Sequence, residues 1–332
     1  MQNLTVISSR VRLARNYTDL PFNLSSSPES AQALIARTVS AIEAAGLRDQ
    51  FHLVQLSELT ENQQKMLEEE HYVSEDLLKS PETAAALLDE SQHLSIMMNE
   101  EDHLRIQAMC SGEDLQKAAD RVFRIDDALS REVTFAFDKD LGYLTACPTN
   151  TGTGMRASLQ MHLPMLTQFK QMGAVSQIVA KVGLNIRGVY GEGSEALGNI
   201  YQISNQATLG RTEEEILKTV LAVGNQLAEK EETLRERALQ ENRIAMEDRV
   251  FRAQGLLMNA RRMDLKEFYG LWSSLRTGML MDMVPRKIEV MDLLLEEVQD
   301  AHLMAYLEKH LNEADLNAAR SIRIRELLRA EE

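Results

Sequence analysis

Residues 93–106 read HLSIMMNEEDHLRI. The first six alternate as a half-buried strand does, with successive side chains pointing to opposite faces. Glu100, Glu101, Asp102, His103 and Arg105 then crowd the strand's end. Charges withdrawn from water are stable only when paired, so that density of charge needs ligands to face.

The flanking pattern is mixed. Ser27 before Pro28 reads as an N-cap with proline at the first helical position, and the helix runs towards Gly46. Residues 63–70 read as a helix leading into His71. Residues 111–114, SGED, read as a capping box opening a helix to about Leu129. Residues 133–138 and 143–146 read as strands joined by a turn at 140–142, and a helix is expected from about Met155, limited by Pro164. Residues 186–190 and 201–206 read as further strands. From a second capping box at residues 212–215, TEEE, everything to Glu332 is Leu, Glu, Arg, Ala and Met at helical spacing. The expected fold class is α+β over residues 1–230, followed by an all-α region over 231–332.

At 332 residues the chain is long enough for two cores. Its net charge of −15 argues against nucleic acid, whose phosphates demand a basic footprint, and favours cationic partners. No apolar run reaches the ~18–20 residues of a membrane span, and the first ten residues lack a secretory pattern. Cys110 and Cys147 make no disulfide framework, so a reducing cytoplasm is expected. Arginine makes up 25 of the 36 basic residues. Forked guanidinium donors suit oxyanions, although codon bias accounts for the count equally well.

Four short segments concentrate groups that grip oxyanions. Ser8-Ser9-Arg10-Val11-Arg12 alternates, so on a strand both arginines share a face. Arg105 follows the acids. Residues 147–156, CPTNTGTGMR, read as a small-residue loop running into a helix, where free N–H groups favour an anion. Residues 187–192, RGVYGE, place an acid behind an arginine and two glycines. Each is weak evidence alone, and no Walker-type P-loop is present. Together the five arginines suit a triphosphate and the charge that develops as its terminal phosphoryl group moves, with Mg²⁺ bridging the phosphates. Acids beside such a cluster make sense if they hold a second, cationic substrate.

SSRVRLAR, NEEDHLRI, CPTNTGTGMRAS and RGVYGE stand in the order and spacing of the phosphagen (guanidino) kinases, which the chain resembles over roughly residues 5–230. RGVYGEGSEALGNIYQISNQATLG and RASLQMHLP resemble the bacterial branch, the McsB-type protein-arginine kinases. The resemblance implies a glutamine synthetase-like catalytic domain, an antiparallel sheet flanked by helices, without the helical N-terminal domain of animal phosphagen kinases. It implies transfer of the γ-phosphoryl group of Mg-ATP to a guanidinium nitrogen. It also implies nucleotide contacts from Ser8, Ser9, Arg10, Val11 and Arg12, from His71 and Arg105, and from Arg156, Ala157, Ser158, Leu159 and Gln160. Arg187, Gly188, Val189, Tyr190, Gly191 and Glu192 complete that set. Glu101 and Glu192 match the family's paired carboxylates, and Glu100 is a candidate for ordering Mg²⁺-bound water. Cys147 matches the family's reactive cysteine. A thiol beside hydroxyls at a helix start has reason for a lowered pKa; the alternative is a small buried residue. Cys110 and His162 are expected in the core, and His103 in a structural hydrogen bond.

The chemistry explains the acids. A guanidinium has a pKa above ~12 and delocalised lone pairs, so it is a poor nucleophile. Two carboxylates can hold one nitrogen in line with phosphorus and accept its proton. Positioning is worth up to ~7–11 kcal/mol, whereas a general base adds ~10²–10⁴-fold. Alignment is therefore expected to matter more than basicity.

The motifs do not separate free from protein-borne arginine. The appended helices, the missing N-terminal domain and the acidic balance favour protein substrates bearing exposed arginine. One departure stands out: the RDxxRA phosphoarginine motif of McsB-type proteins corresponds to residues 314–319, ADLNAA, which keep Asp315 but replace both arginines with alanine. A working pocket of that kind is not expected, with Arg320 and Arg323 as the remaining substitutes. The resemblance further implies an activator protein, a repressor, a Clp-type unfoldase, a homodimer and a role in stress response. Only seven residues precede the first motif, so some cover over the site is expected to be missing. Two other readings are a kinase for free arginine or another small guanidino compound, and a non-catalytic arginine- or phosphoarginine-binding adaptor. The complete set of arginines and acids argues against the adaptor.

Overall fold

The computed structural model describes residues 3–22, 28–189, 196–285 and 287–330. The strands are β1 (Val6–Arg15), β2 (His52–Gln55), β3 (Ala85–Asp89), β4 (Leu94–Met98), β5 (Leu104–Ser111), β6 (Phe137–Asp138), β7 (Gly142–Tyr143), β8 (Met155–His162), β9 (Leu184–Gly188) and β10 (Ile200–Asn205). Eight of them form one antiparallel sheet in the order β2-β3-β4-β5-β1-β8-β10-β9, while β6 and β7 pair separately. Strict alternation along β1 sends Val11 and Leu13 to the same face as Ile106, Ala157, Leu159 and Ile203, all fully buried. Helices α1 (Pro28–Ala44) and α3 (Leu115–Glu132) pack over that face. In α3 the residues Leu115, Ala118, Val122, Ile125 and Leu129 recur at helical spacing and form its buried stripe.

The small helices α2 (Glu61–Glu69), α4 (Pro164–Gln168) and α5 (Met172–Lys181) decorate the rim. The C-terminal part is helical: α6 (Glu213–Asn259), α7 (Leu265–Leu280), α8 (Glu289–Glu297), α9 (Asp300–Tyr306) and α10 (Glu313–Ala330). Thr212 and Glu215 form the expected reciprocal capping box at the start of α6. Gly224 lets α6 approach the sheet, since an added Cβ would come within 2.4 Å of Leu159 Cδ1. The helix runs unbroken past residue 230 and leaves helical geometry at Asn242 (φ −159°, ψ 77°). A second core around Phe268, Trp272 and Leu294 draws in Ile7 of β1 and Ile200 of β10, so the helical region is welded to the sheet. His162 is core, as expected, and bonds Ser273 Oγ at 2.8 Å. No described helix is long and apolar enough to cross a membrane.

Residues 155–162 are a strand, not the expected helix. Their period is two, with Arg156, Ser158 and Gln160 on one face and Ala157, Leu159 and Met161 on the other, and both edges are taken by β1 and β10. Pro164 instead opens α4. At residues 111–114 no capping box forms. Ser111 ends β5, Asp114 is the N-cap without a side-chain bond, and its N–H donates to Ser9 Oγ at 3.0 Å. The strands expected at 133–138 and 143–146 shrink to the two-residue β6 and β7. Ser27, the expected cap of α1, lies outside the described residues.

Candidate active site

Directly paired residues of an antiparallel sheet share a face. Arg12 is opposite Arg156 on one side and Gln107 on the other; Arg10 is opposite Ser158 and Met109. Arg105 is opposite Ala14, and Gln202 lies between Gln160 and Arg187. The register thus brings Arg10, Arg12, Arg105, Arg156 and Arg187 from four strands onto one polar face. Ser8 donates to Gln160 Oε1 at 3.0 Å, and Arg10 to Gln202 Oε1 at 2.8 Å. Ser9, Val11, Ala157 and Leu159 alternate to the opposite face and are buried in the core, so their side chains turn away from the site.

The arginines load one another. Burial, then Arg105, Arg10 and Arg156, holds the Arg12 guanidinium well below its ordinary pKa. Burial, then Arg187 and Arg105, lowers Arg156. Among the described residues neither Arg12 nor Arg156 has a hydrogen-bonded or ion-paired partner. A protein that concentrates positive charge without neutralising it has built an anion site. Arg105 is paired with Glu100, whose carboxylate also accepts from the Ser74 hydroxyl.

The acids reach this wall through a tight turn. Asn99 takes the left-handed conformation (φ 64°), its amide donates to the carbonyls of Ala31 (3.2 Å) and Thr83 (2.8 Å), and its N–H donates to His103 O. Glu101 projects from the turn and lines the same cavity as Cys147; burial, then Asp102 and Glu100, raises its pKa. His103 is structural, as expected: its Nδ1 accepts from the Tyr17 N–H at 3.0 Å.

The loop bearing Cys147 depends on two glycines. At Gly152 (φ 122°) an added Cβ would lie 2.5 Å from Thr208 O, and at Gly154 (φ 65°) 2.6 Å from Ala14 O. Thr208 donates to the carbonyls of Thr149 (3.1 Å) and Thr151 (2.6 Å), and Thr145 to that of Cys147 (2.7 Å). Cys147 Sγ is 3.0 Å from Thr149 Oγ1. The loop leads into β8, so the helix start expected behind the thiol is the start of a strand.

A cavity of about 310 Å³ brings both parties together: Arg12, Arg105 and Arg156 line it, and so do Glu100, Glu101 and Cys147. A neighbouring one of about 450 Å³ runs past Arg10, Arg105 and His71 to Leu295 and Gln299 of the helical region. His71 (φ 63°) is pushed down to about 4 by burial and by Arg10, so it is neutral at pH 7; its carbonyl accepts from Gln107 at 2.6 Å. Gly188 ends β9 and Val189 borders the second cavity, but Tyr190, Gly191 and Glu192 lie outside the described residues. Among the described residues no group of three or more His, Cys, Asp or Glu side chains is arranged to hold a metal. Sequence reasoning missed Gln202, Ser74 and the anchoring partners of Asp102. The alternation of residues 201–206 carried a signal for Gln202; the other two become visible only in three dimensions.

Asp315 lies in the first turn of α10, exposed, with Asn312 as its partner (2.9 Å). Arg320 is buried, donating to the carbonyls of Val298 and Met263 (both 2.9 Å) and paired with Asp300. Arg323 is paired with Glu297 and covers the Tyr306 ring. Both potential substitutes for the missing arginines are spent on structure.

Residues 33–234 match the model of the ATP:guanido phosphotransferase C-terminal catalytic domain, and residues 243–332 that of the protein-arginine kinase McsB C-terminal domain. A protein-arginine kinase of Caldanaerobacter subterraneus is 39% identical over 318 residues, 95% of this chain and 94% of the relative. The chain belongs to the ATP:guanido phosphotransferases, in their protein-arginine kinase branch. A second protein-arginine kinase, from Symbiobacterium thermophilum, is 41% identical over 98% of this chain and 93% of its own. Among solved structures, the duplicated taurocyamine kinase of Schistosoma mansoni superposes with a TM-score of 0.64 at 27% identity, covering 72% of this chain and 35% of that one. A lombricine kinase gives 0.61 at 25% identity, covering 73% and 68%. The guanidino-kinase sheet with its flanking helices is thus the fold of this family member, and its helical C-terminal region is the McsB type.

Proposed function

We propose that this protein transfers the γ-phosphoryl group of Mg-ATP to a guanidinium nitrogen of arginine side chains in other proteins. The observation that carries the reading is that the Arg12–Arg156 register pair, without a hydrogen-bonded or ion-paired partner among the described residues, lines one cavity together with Glu101 and Cys147. The guanidinium wall binds the phosphates and the charge that develops on the transferring group. Glu101 grips the acceptor guanidinium, turns one nitrogen towards phosphorus and takes its proton as the N–P bond forms and the bond from phosphorus to the β-phosphate oxygen breaks, releasing ADP. Glu192 is the second carboxylate by family resemblance, and Cys147 lies beside the acceptor.

A bound Mg²⁺ would neutralise phosphate charge. Glu100, which lines the cavity, would order water bound to it, as the family resemblance implies. Ser8, Arg10, His71, Gln160 and Arg187 would line the nucleotide's path.

Protein-borne arginine as acceptor is supported by the relatives' identity as protein-arginine kinases over nearly the whole chain and by the C-terminal match. The same reading treats residues 1–230 as the catalytic unit and 231–332 as a substrate-docking and regulatory unit. A cytoplasmic location, a homodimer, a role in stress response, and an activator, a repressor and a Clp-type unfoldase as partners follow by family analogy. Phosphoarginine capture at Asp315 is not part of the reading.

The test is to incubate the protein with Mg-ATP and either free arginine or an arginine-rich protein, and to look for acid-labile phosphate on each. Label on the protein supports the reading. Label on free arginine alone overturns it in favour of a small-molecule guanidino kinase, and label on neither leaves the adaptor.

A further inference from the structure

Asp102 is tied to both segments that bring Glu101 and Cys147 to the cavity they line together. It follows Glu101 directly, and its buried carboxylate accepts from the Ala146 N–H at 2.7 Å, one residue before Cys147. The same oxygen accepts from Asn16 Nδ2 at 2.6 Å. Asn16 closes the frame: its Oδ1 accepts from the His103 N–H at 2.8 Å and its amide donates to Leu144 O at 3.2 Å. The turn with Glu101, the end of β1 and the strip leading to Cys147 are therefore tied at one buried point. Glu101 itself is exposed and Cys147 half-buried, so contact between the two side chains restrains little.

We propose that Asp102 is a positioning residue that fixes Glu101 and Cys147 relative to each other and so sets the geometry in which the acceptor guanidinium is held. This rests on the kinase reading. Burial raises the Asp102 pKa, the Ala146 and Asn16 donors pull it back, and no cation pairs with it among the described residues. The role needs an acceptor oxygen at that place rather than a charge.

The test compares Asp102→Asn, which keeps the accepting oxygen and loses the charge, with Asp102→Glu, which keeps the charge and moves the oxygen, and with Asp102→Ala. Two readouts are taken on variants checked for folding by thermal melts: kcat and KM for ATP in protein-arginine phosphorylation, and the alkylation rate of Cys147 by iodoacetamide without nucleotide. Asp102→Asn should stay within about tenfold of the wild type in kcat. Asp102→Glu and Asp102→Ala should lose about 100-fold, the scale of an ångström-level misplacement, with KM for ATP little changed. Cys147 alkylation should shift at least about fivefold in the latter two and not in Asp102→Asn, as thiol reactivity follows local setting. If Asp102→Ala does not fold, the Asn and Glu variants decide. Equal damage in Asn and Glu, or wild-type behaviour of Glu, overturns the proposal. If even the wild type phosphorylates no arginine, the kinase reading falls while the alkylation rates still decide the positioning role.

Discussion

Arg12 on β1 and Arg156 on β8 are register partners on the polar face of the sheet, and among the described residues neither is ion-paired with an acid. Folding pushes these cations together against their mutual repulsion. Replacing Arg12 with Met should therefore leave the unliganded protein as stable as the wild type or more so. It should also weaken ATP binding by about 10–150-fold, the loss of a charge-assisted bond worth ~1.5–3 kcal/mol. Urea melts and ATP titration check the two halves separately.

Glu101→Gln should cut phosphoryl transfer by at least the ~10²–10⁴-fold of a lost general base, while ATP still binds. In the wild type, burial and the neighbouring Asp102 and Glu100 raise the Glu101 pKa. The rate should therefore fall on acidification at a pH above the ordinary carboxylate range. Near-normal turnover of the variant would remove Glu101 from the mechanism.

Much of this was legible because β1 and the residues around Glu101 advertise themselves: alternation in SSRVR puts both arginines on one face whatever the neighbours do. Residues 155–162 read as a helix because the small-residue loop ahead of them and Pro164 behind them look like helix boundaries, whereas the decisive constraint is non-local. Two edges of β8 are claimed by β1 and β10, and local sequence does not reveal its partners. Ser111 does not cap α3 for the same reason: it ends β5, and the Asp114 N–H it would accept goes to Ser9 on the adjoining strand β1. The anchoring of Asp102 by Ala146, and the capture of Arg320 by Val298, Met263 and Asp300, depend on contacts that only the tertiary fold creates.

Glu231, buried in α6, accepts the N–H groups of Met165 (2.7 Å) and Leu166 (2.9 Å), and burial raises its pKa from the ordinary 4.5 to about 7. The folded state thus favours the protonated acid. That contribution is full below pH 4.5 and is lost as pH climbs through 7. Relative to Glu231→Gln, whose side chain does not titrate, wild-type stability should decline by of order 2–3 kcal/mol across that window. Urea melts at pH 4.5 and 8 measure the difference; a constant gap would refute it.

His302 joins α9 to α2, with Nδ1 at 2.8 Å from Glu69 and Nε2 at 3.3 Å from Glu70, while Glu69 also accepts the N–H groups of Ala301 and His302. Burial opposes its charge, but the two carboxylates outweigh it and lift the pKa from 6.5 to about 9. Its stabilisation is complete below pH 6.5 and fades as pH rises through 9. His302→Gln should therefore lower stability by of order 1–3 kcal/mol at pH 6 and by almost nothing above pH 9.5. Thermal melts of both proteins across that range test it.

The most direct measurement is mass-spectrometric detection of N-phosphoarginine on a folded bystander protein incubated with Mg-ATP and either the wild type or Glu101→Gln, each first shown to bind ATP. The arrangement of arginines against Glu101 predicts modified arginines with the wild type and at least ~100-fold fewer with the variant. Equal modification by both, or none by an ATP-bound wild type, would contradict it.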